Sequence, residues 1–262
     1  MELFNSYNPI DIYREYKLYG KIKKDLFEIL AQTKSYYPLD LRILHANHGS
    51  LKFTDAYILK NLLQKYKPST ILEIGSFLGF STRWLLEVSK SWNPKLTAID
   101  PNIRHRIFDD PRSFAEKLNS DFLPNNLEIV TGFFGDYDEH IYYDYEHYEP
   151  NQTREHVDKL VSSRERIDKD WNRKFEFIFI DGYHSYESVT NNFDIASELL
   201  EENGCIAFHD VLEWDGVDKA LKEIKFKFKN KAEVHVYGKL DRTILKLFSA
   251  TNDGIGFFRQ LS

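Results

Sequence analysis

The chain has 262 residues, enough for one large domain with a substantial hydrophobic core. Its 35 Lys and Arg residues against 41 Asp and Glu residues give a net charge of −6, which offers no general electrostatic support for nucleic-acid binding. Cys205 is the only cysteine, so no disulfide forms within the chain, and no apolar run approaches the roughly 20 residues of a membrane span. These features predict a cytoplasmic protein without a nucleic-acid or membrane partner.

The first patterned segments are helical. Apolar residues recur with a helical period over residues 20–34 and again over residues 55–66. We therefore interpret residues 1–50 as an N-terminal helical extension or cap, and residues 51–262 as the main domain. His45 and His48 lie just before the first helix of that domain, where either could face a substrate, although histidines in loops more often do not.

The most informative segment is the strand and turn that follow. An apolar run at residues 71–74 meets two glycines four apart, Gly75 and Gly79, and Ser81 then opens a helical pattern. Glycine lets the backbone approach a ligand closely, and a helix N-terminus presents free N–H groups to it. The spacing lacks the third glycine of a dinucleotide fingerprint and the Gly-Lys-Ser/Thr of a P-loop. Glu73 before the turn fits a ligand with amino-acid and nucleoside parts; the alternative is a turn whose glycines serve packing alone.

Further strands alternate with helices along the chain. They are predicted at Lys95–Asp100 and at residues 127–131, 175–181 and 204–210. This alternation predicts a parallel sheet covered on both faces. Ligands of such sheets bind outside the carboxyl ends of the strands, where this sequence places carboxylates, a histidine and glycines. Asp100 ends the second strand, at the position where a ribose diol would be held.

Residues 136–171 interrupt the alternation, being too long for a plain connection. Residues 136–150 hold five tyrosines, two histidines and six acids, and residues 155–168 have the pattern of a charged helix. Three interpretations stay open: a solvated surface insertion, a lid over a binding site, or a contact within a homo-oligomer. The lid is motivated because the insertion leaves the sheet on the side where the strand ends gather.

Two motifs carry a resemblance to a known family. The run LEIGSFLGFS at residues 72–81 is similar to the cofactor loop of catechol O-methyltransferases, and IDGYHSYESV at residues 180–189 with Phe208-His209-Asp210 resembles macrocin and other sugar O-methyltransferases. The chain therefore resembles class I S-adenosylmethionine-dependent methyltransferases of the small-molecule O-methyltransferase type, over residues 50–135 and 172–259.

The resemblance implies a fold and a cofactor site. The fold is an α/β, Rossmann-like, doubly wound sheet of seven strands, mostly parallel, with a C-terminal antiparallel hairpin and helices on both faces. Strand-like patterns at residues 232–237, 242–248 and 254–258 allow that hairpin. In the implied site Asp100 binds the ribose and Phe133 lies near the adenine of S-adenosylmethionine. The residues expected to bind this cofactor are Glu73, Gly75, Phe77, Ser81, Asp100, Gly132, Phe133 and Asp181.

The same motifs predict a cation beside the methyl acceptor. Asp181 and Asp210 follow two neighbouring strands and would converge on magnesium or manganese, which lowers the pKa of a coordinated hydroxyl. Asp181 and Asp210 could instead cap turns or helices. His209 is a candidate third ligand, because the catechol-type enzymes place a ligand there, or a partly buried hydrogen-bond donor.

His184 is the candidate general base, acting with Asp181. It lies three residues after Asp181, where the catechol-type enzymes carry a lysine, and imidazole is well suited to accept a hydroxyl proton. A structural role for His184 is the alternative. Trp214, close after the His-Asp pair, is a candidate wall of the acceptor pocket.

These residues predict a metal-assisted methyltransferase that methylates a hydroxyl on a small molecule, a sugar or a phenol. The alternatives are an N-methyltransferase of nucleic acid or protein, a non-catalytic module that binds the cofactor, and a hydroxylase built on the same fold. Neither an Asn/Asp-Pro-Pro-Tyr tetrapeptide nor a basic flank supports the first alternative.

Overall fold

A computed structural model describes residues 8–135, 154–238 and 252–261. The strands in these ranges are β1 (Thr70–Ile74), β2 (Lys95–Asp100), β3 (Leu127–Phe134), β4 (Glu165–Ile167), β5 (Phe175–Ile180), β6 (Leu200–Phe208), β7 (Ala232–Tyr237) and β8 (Ile255–Gln260). The helices are α1 (Pro9–Gln32), α2 (Leu39–His48), α3 (Phe53–Tyr66), α4 (Phe80–Ser89), α5 (Pro111–Leu118), α6 (Arg154–Ser162), α7 (Tyr186–Leu199) and α8 (Asp215–Lys227).

The strands form one mixed sheet in the order β4-β3-β2-β1-β5-β6-β8-β7. Strands β1 to β6 pair in parallel, and β8 runs antiparallel to both β6 and β7. The predicted α/β fold with a mostly parallel sheet and C-terminal antiparallel strands is confirmed. The strand predicted at residues 242–248 lies outside the described residues.

The described residues contribute eight strands to the sheet, one more than the seven predicted. The additional strand β4 lies within the segment whose residues 155–168 had been expected to form a single charged helix; α6 ends at Ser162 instead. Strand β4 has three residues, too few for a pattern to show in the sequence, and it pairs with β3 at Gly132 to Phe134. A Cβ at Gly132 would lie 2.7 Å from the carbonyl oxygen of Glu165, so the missing side chain allows this pairing.

The strand order creates a crevice beside β1. From β1 the chain builds outward through β2 and β3, and then returns to place β5 on the other edge of β1. The connections leave in opposite directions at this point, so the loops after β1 and β5 diverge and leave a cleft at the carboxyl edge of the sheet.

Apolar side chains cover both faces of the sheet. Ile71 and Phe177 lie in the cluster on the side of α1, α3 and α4, whereas their neighbours Leu72 and Ile178 lie in the cluster on the side of α7 and α8. Successive strand residues point to opposite faces, so a strand between two helical layers is apolar throughout.

The N-terminal helices pack onto the first of these layers and differ from the expected pattern. Helix α1 begins at Pro9, where Asn8 caps it, well before the predicted residue 20. His45 and His48 lie in helix α2 rather than in a loop. Tyr19 of α1 donates a hydrogen bond of 2.8 Å to the carbonyl of Leu51, which ties this helix to the start of α3.

A buried arginine joins α1 to α2. Arg42 Nη1 donates to the carbonyls of Leu30, at 2.7 Å, and of Thr33, at 3.0 Å. The last carbonyls of a helix have no partners within it, and a cation at this end also favours the helix dipole. Arg42 therefore holds α2 against the end of α1.

We predict that Arg42→Met, which keeps the aliphatic stem, lowers the free energy of unfolding by about 2 kcal/mol, because charge-assisted hydrogen bonds to buried carbonyls are lost. Urea denaturation monitored by circular dichroism measures this. The control is Lys24→Met, which removes an exposed pair with Glu28 and should change stability by about 0.5 kcal/mol or less. Equal stability of both variants would contradict the capping role.

Candidate active site

A cavity of about 930 Å³ opens at the cleft beside β1. Its wall includes residues from the loops after β1, β2, β5 and β6, together with the end of α2 and the segment before β8. Of the predicted site residues, the wall contains Gly75, Phe77, Ser81, Asp100, Gly132, Asp181, His184, His209 and Asp210.

The turn after β1 requires glycine at position 75. Gly75 has φ +87°, and a Cβ there would lie 2.2 Å from the carbonyl oxygen of Asp181. Backbone hydrogen bonds hold the contact on both sides, since Gly75 N–H donates to Ile99 and Asp181 N–H donates to Ile74. The ends of β1 and β5 are thereby locked together.

Asp100 ends β2 and fixes the same turn from the other side. Its carboxylate accepts from the backbone N–H of Phe77 and of Asn102, each at 2.8 Å. Burial raises the pKa of Asp100, and these hydrogen bonds, which favour the charged form, oppose the rise. The side chain lines the cavity with both oxygens held in place.

Glu73 lies behind the cavity wall. It is fully buried, and Thr82 Oγ1 donates to its Oε2 at 2.5 Å, whereas Oε1 has no hydrogen-bond partner among the described residues. Burial raises the pKa of Glu73 to about 8, against the opposing hydrogen bonds of Ser81 and Thr82. Glu73 thus supports the first turn of α4, and its contact with a cofactor stays a prediction.

The aromatic ring of β3 that lines the cavity belongs to Phe134, and not to Phe133, the residue that the sequence suggested. Phe134 and Gly132 line the cavity, whereas the ring of Phe133 is buried beneath the guanidinium of Arg166, whose carbon lies 5.1 Å from the ring centre. Alternate residues of β3 face opposite ways, so only one of the two aromatic rings can reach the cleft. The prediction that Phe133 lies near an adenine stays untested.

Acids and histidines gather where β5 and β6 end. His184 Nε2 lies 2.8 Å from Asp210 Oδ2 and 4.0 Å from Asp181 Oδ1. This nitrogen is buried and makes no aligned hydrogen bond. Three possible ligand atoms from Asp181, His184 and Asp210 lie within 4.8 Å of one another, a donor set suited to a divalent cation.

His209 lies between this cluster and a second pair of carboxylates. Its Nδ1 donates to Asp181 Oδ1 at 2.9 Å and lies 3.3 Å from Asp210 Oδ1. On the other side of the ring, Nε2 lies 3.8 Å from Asp55 Oδ2, too far for a hydrogen bond. Asp55, His209 and Asp253 form a second group whose ligand atoms lie within 4.8 Å.

The sequence did not point to Asp55 and Asp253. Asp55 belongs to the first turn of α3 and is fully buried, and its carboxylate accepts from the N–H of Asp253 at 2.9 Å and of Gly254 at 3.0 Å. An acid in the first turn of a helix is common, so nothing in the sequence separates Asp55 from an ordinary capping residue.

Charge crowding shifts the pKa values of this region. Burial and the neighbouring Asp55 raise the pKa of Asp253 to about 6. Burial alone would lower the pKa of both histidines, but the surrounding carboxylates outweigh it and raise the pKa of His184 to about 9 and that of His209 well above its usual value. The same histidines lower the pKa of Asp181 in spite of its burial.

The backbone and an aromatic ring fix the orientation of this cluster. Asp210 has φ +61°, a left-handed conformation that aspartate tolerates better than most residues. Trp214 stacks on His184, with ring centres 5.3 Å apart and planes at 12°. Trp214 also lines the cavity, at the position suggested by its place in the sequence.

Comparisons with known proteins agree with this geometry. A family model described as a methyltransferase domain matches residues 72–211, just over half of the chain, and no curated protein matches. The SAH-bound methyltransferase PaMTH1 of Podospora anserina has a TM-score of 0.55 and 12% identity, with 100% of both chains covered. An O-methyltransferase of Bacillus cereus in complex with SAH has a TM-score of 0.54 and 14% identity, with 92% of this chain and 91% of that chain covered. At such identities the likeness to these structures shows a shared fold.

The contacts of Asp55 predict a stability effect. In Asp55→Asn one oxygen becomes an NH₂ group, so one of the two backbone N–H groups loses its acceptor, and stability should fall by about 1–3 kcal/mol. Urea denaturation measures the change. Asp218→Asn is the control, because it makes the same change at a partly exposed acid in the first turn of α8 that pairs with Lys222. If the two variants are equally stable, Asp55 does not anchor the segment before β8.

Proposed function

The chain belongs to the methyltransferase domain family, and we propose that it transfers the methyl group of S-adenosylmethionine to a hydroxyl of a small molecule, a sugar or a phenol. The observation that carries this proposal is the single cavity at which the Gly75 turn, Asp100 and the cluster of Asp181, His184 and Asp210 meet. A nucleoside subsite and a cluster able to activate a hydroxyl thus open into one space.

The residues of the first subsite fit the cofactor. The glycine turn brings backbone against the cavity where a side chain would collide with β5, and Asp100 offers a fixed carboxylate to a ribose diol. When bound, the cofactor supplies a methyl group already activated on a sulfonium. The protein then has mainly to align the acceptor and exclude water.

The residues of the second subsite fit a divalent cation. Two carboxylates and a buried imidazole nitrogen without an aligned hydrogen bond converge there, and oxygen ligands suit magnesium, with an imidazole extending the choice to manganese. Asp181 and Asp210 would hold the ion, with His184 or His209 beside them. A bound cation would lower the pKa of the acceptor hydroxyl.

His184 is proposed to handle the acceptor proton at Nε2. The carboxylates of Asp181 and Asp210 raise its pKa to about 9, so this nitrogen is protonated at neutral pH as long as no metal ion neutralises those carboxylates. Neutralising Asp181 and Asp210 would lower that pKa toward the range of a useful base. Stacking on Trp214 holds the ring in place.

The cofactor assignment predicts binding of S-adenosylhomocysteine. Asp100→Ala should weaken it by about 1.5–3 kcal/mol, because a charge-assisted hydrogen bond to the ribose is lost. Isothermal titration measures the affinity, with Asp194→Ala, a change at an exposed acid of α7, as the control. No binding by the wild-type protein, or equal binding by the Asp100 variant, would refute the assignment.

The metal assignment predicts that Mn²⁺ binds to the wild-type protein and that Asp210→Asn weakens it about tenfold or more, while affinity for S-adenosylhomocysteine stays nearly unchanged. Titration calorimetry of each ligand tests this, with Asp218→Asn as the control. Chelation should also abolish methyl transfer to any sugar or phenol that a panel with labelled cofactor identifies. Full turnover in excess EDTA would leave His184 as a base that works without metal.

A further inference from the structure

Arg106 occupies an unusual position on the cavity wall. It lies in the loop between β2 and α5, lines the cavity, and has φ +57°. A left-handed backbone is uncommon for arginine, and such conformations cluster at binding sites. The backbone conformation at Arg106 therefore determines the direction in which its long cationic side chain extends from the loop.

The guanidinium of Arg106 has no partner in the part of the chain that the structure describes. Its Nε is buried and lacks a hydrogen-bond acceptor. Three nearby arginines each have two partners. Arg104 contacts Tyr37 and Asp109, and Arg112 contacts Glu116 and Thr131. Arg164 donates to the carbonyls of Pro101 and Asn102. An arginine donor that is shielded from water and left without an acceptor is costly, which points to a partner that the protein itself does not supply.

The open cavity offers space for that partner, because Arg106 and Gly49 both line it. A Cβ at Gly49 would lie 2.6 Å from the ring of Phe77 and 3.5 Å from Arg106 Nε. Glycine at this position therefore keeps the end of α2 from crowding the two side chains. His48, the preceding residue, also lines the cavity.

The charge at this corner is not neutralised. Burial lowers the pKa of His45, and its neighbours Arg106 and His48 lower it further. Elsewhere the cavity wall is rich in acids, namely Asp100, Asp181, Asp210, Glu213 and Asp253. Lys52, the other permanent cation on the described wall, lies 3.9 Å from Asp253, whereas Arg106 forms no ion pair with any carboxylate of the described residues.

We propose that Arg106, with His48, forms an anion subsite that binds a carboxylate or phosphate of a ligand in this cavity. The planar guanidinium presents paired N–H donors that match both groups. Two ligands could supply the anion: the amino-acid carboxylate of the cofactor, or an acidic group on the methyl acceptor. The evidence for an anion subsite is the unpaired side chain of Arg106. Only the identity of the two candidate ligands rests on the proposed function.

The first test uses inorganic phosphate and thermal unfolding. Phosphate, compared with chloride at equal ionic strength, should raise the Tm of the wild-type protein and of Arg112→Gln, but not of Arg106→Gln. Arg112→Gln is the matched control, because it removes the same charge from a partly exposed arginine that already has partners. Arg106→Gln should unfold close to the wild-type temperature without phosphate, since it breaks no hydrogen bond or ion pair within the described residues.

The second test distinguishes the two sources. If the cofactor supplies the anion, Arg106→Gln weakens S-adenosylhomocysteine about tenfold or more and leaves 5′-methylthioadenosine, which lacks the carboxylate, unchanged. If the acceptor supplies it, Arg106→Gln leaves S-adenosylhomocysteine binding unchanged, and phosphate still stabilises the wild-type protein saturated with S-adenosylhomocysteine.

Arg106→Lys, which keeps the charge, should retain part of the phosphate effect. The proposal is overturned if Arg106→Gln changes the response to neither phosphate nor S-adenosylhomocysteine. Failure of the wild-type protein to bind S-adenosylhomocysteine would refute the proposed function instead, and the phosphate test would still decide the subsite.

Discussion

The contact between the Gly75 turn and the end of β5 is the constraint on which the site depends. The turn after β1 and the carbonyl of Asp181 approach so closely that a single methyl group at position 75 would separate them. Because Asp181 also begins the cluster of acids and histidines, the same contact sets how far that cluster lies from the proposed nucleoside subsite. Methyl transfer requires the two reacting groups to be held in line, so a fixed distance between the subsites is what the reaction needs from the fold.

Buried charge organises the opposite side of the cleft. Asp55, Asp181, Asp210 and Asp253 surround His209, and carboxylates this close repel one another strongly in a medium that screens less than water. His209 and His184 relieve that repulsion as cations, which is why the pKa values of both rise. A divalent cation would do the same and release the proton of His184. The same carboxylates can therefore be neutralised either by protonated histidines or by a divalent cation.

The parts of the site that follow from local sequence were predictable. Asp100, Asp181 and Asp210 each follow a strand, and the carboxyl ends of parallel strands meet at one edge, so their convergence required no knowledge of packing. Asp55 was not predictable, because its partners lie 198 and 199 residues away along the chain. The prediction for Phe133 depends on strand parity, and a shift of one residue turns a side chain to the other face. Helix α2 has only ten residues and strand β4 only three, so their patterns could not be told from loops.

The strand order also gives the cleft an electrostatic direction. Arg106 belongs to the loop after β2, whereas Asp181 and Asp210 follow β5 and β6, and β1 lies between these two groups in the sheet. On the β2 side of β1, Arg106 and Asp100 carry opposite charges, whereas on the other side the carboxylates outnumber their histidines. This difference produces a field across the crevice, where the low dielectric of the walls strengthens it. A ligand with an anionic group and a hydroxyl would be oriented by this field, with the anion toward Arg106 and the hydroxyl toward the acid cluster. In the proposed function, the orientation of the acceptor would then depend on the topology of the sheet as much as on the shape of the cavity.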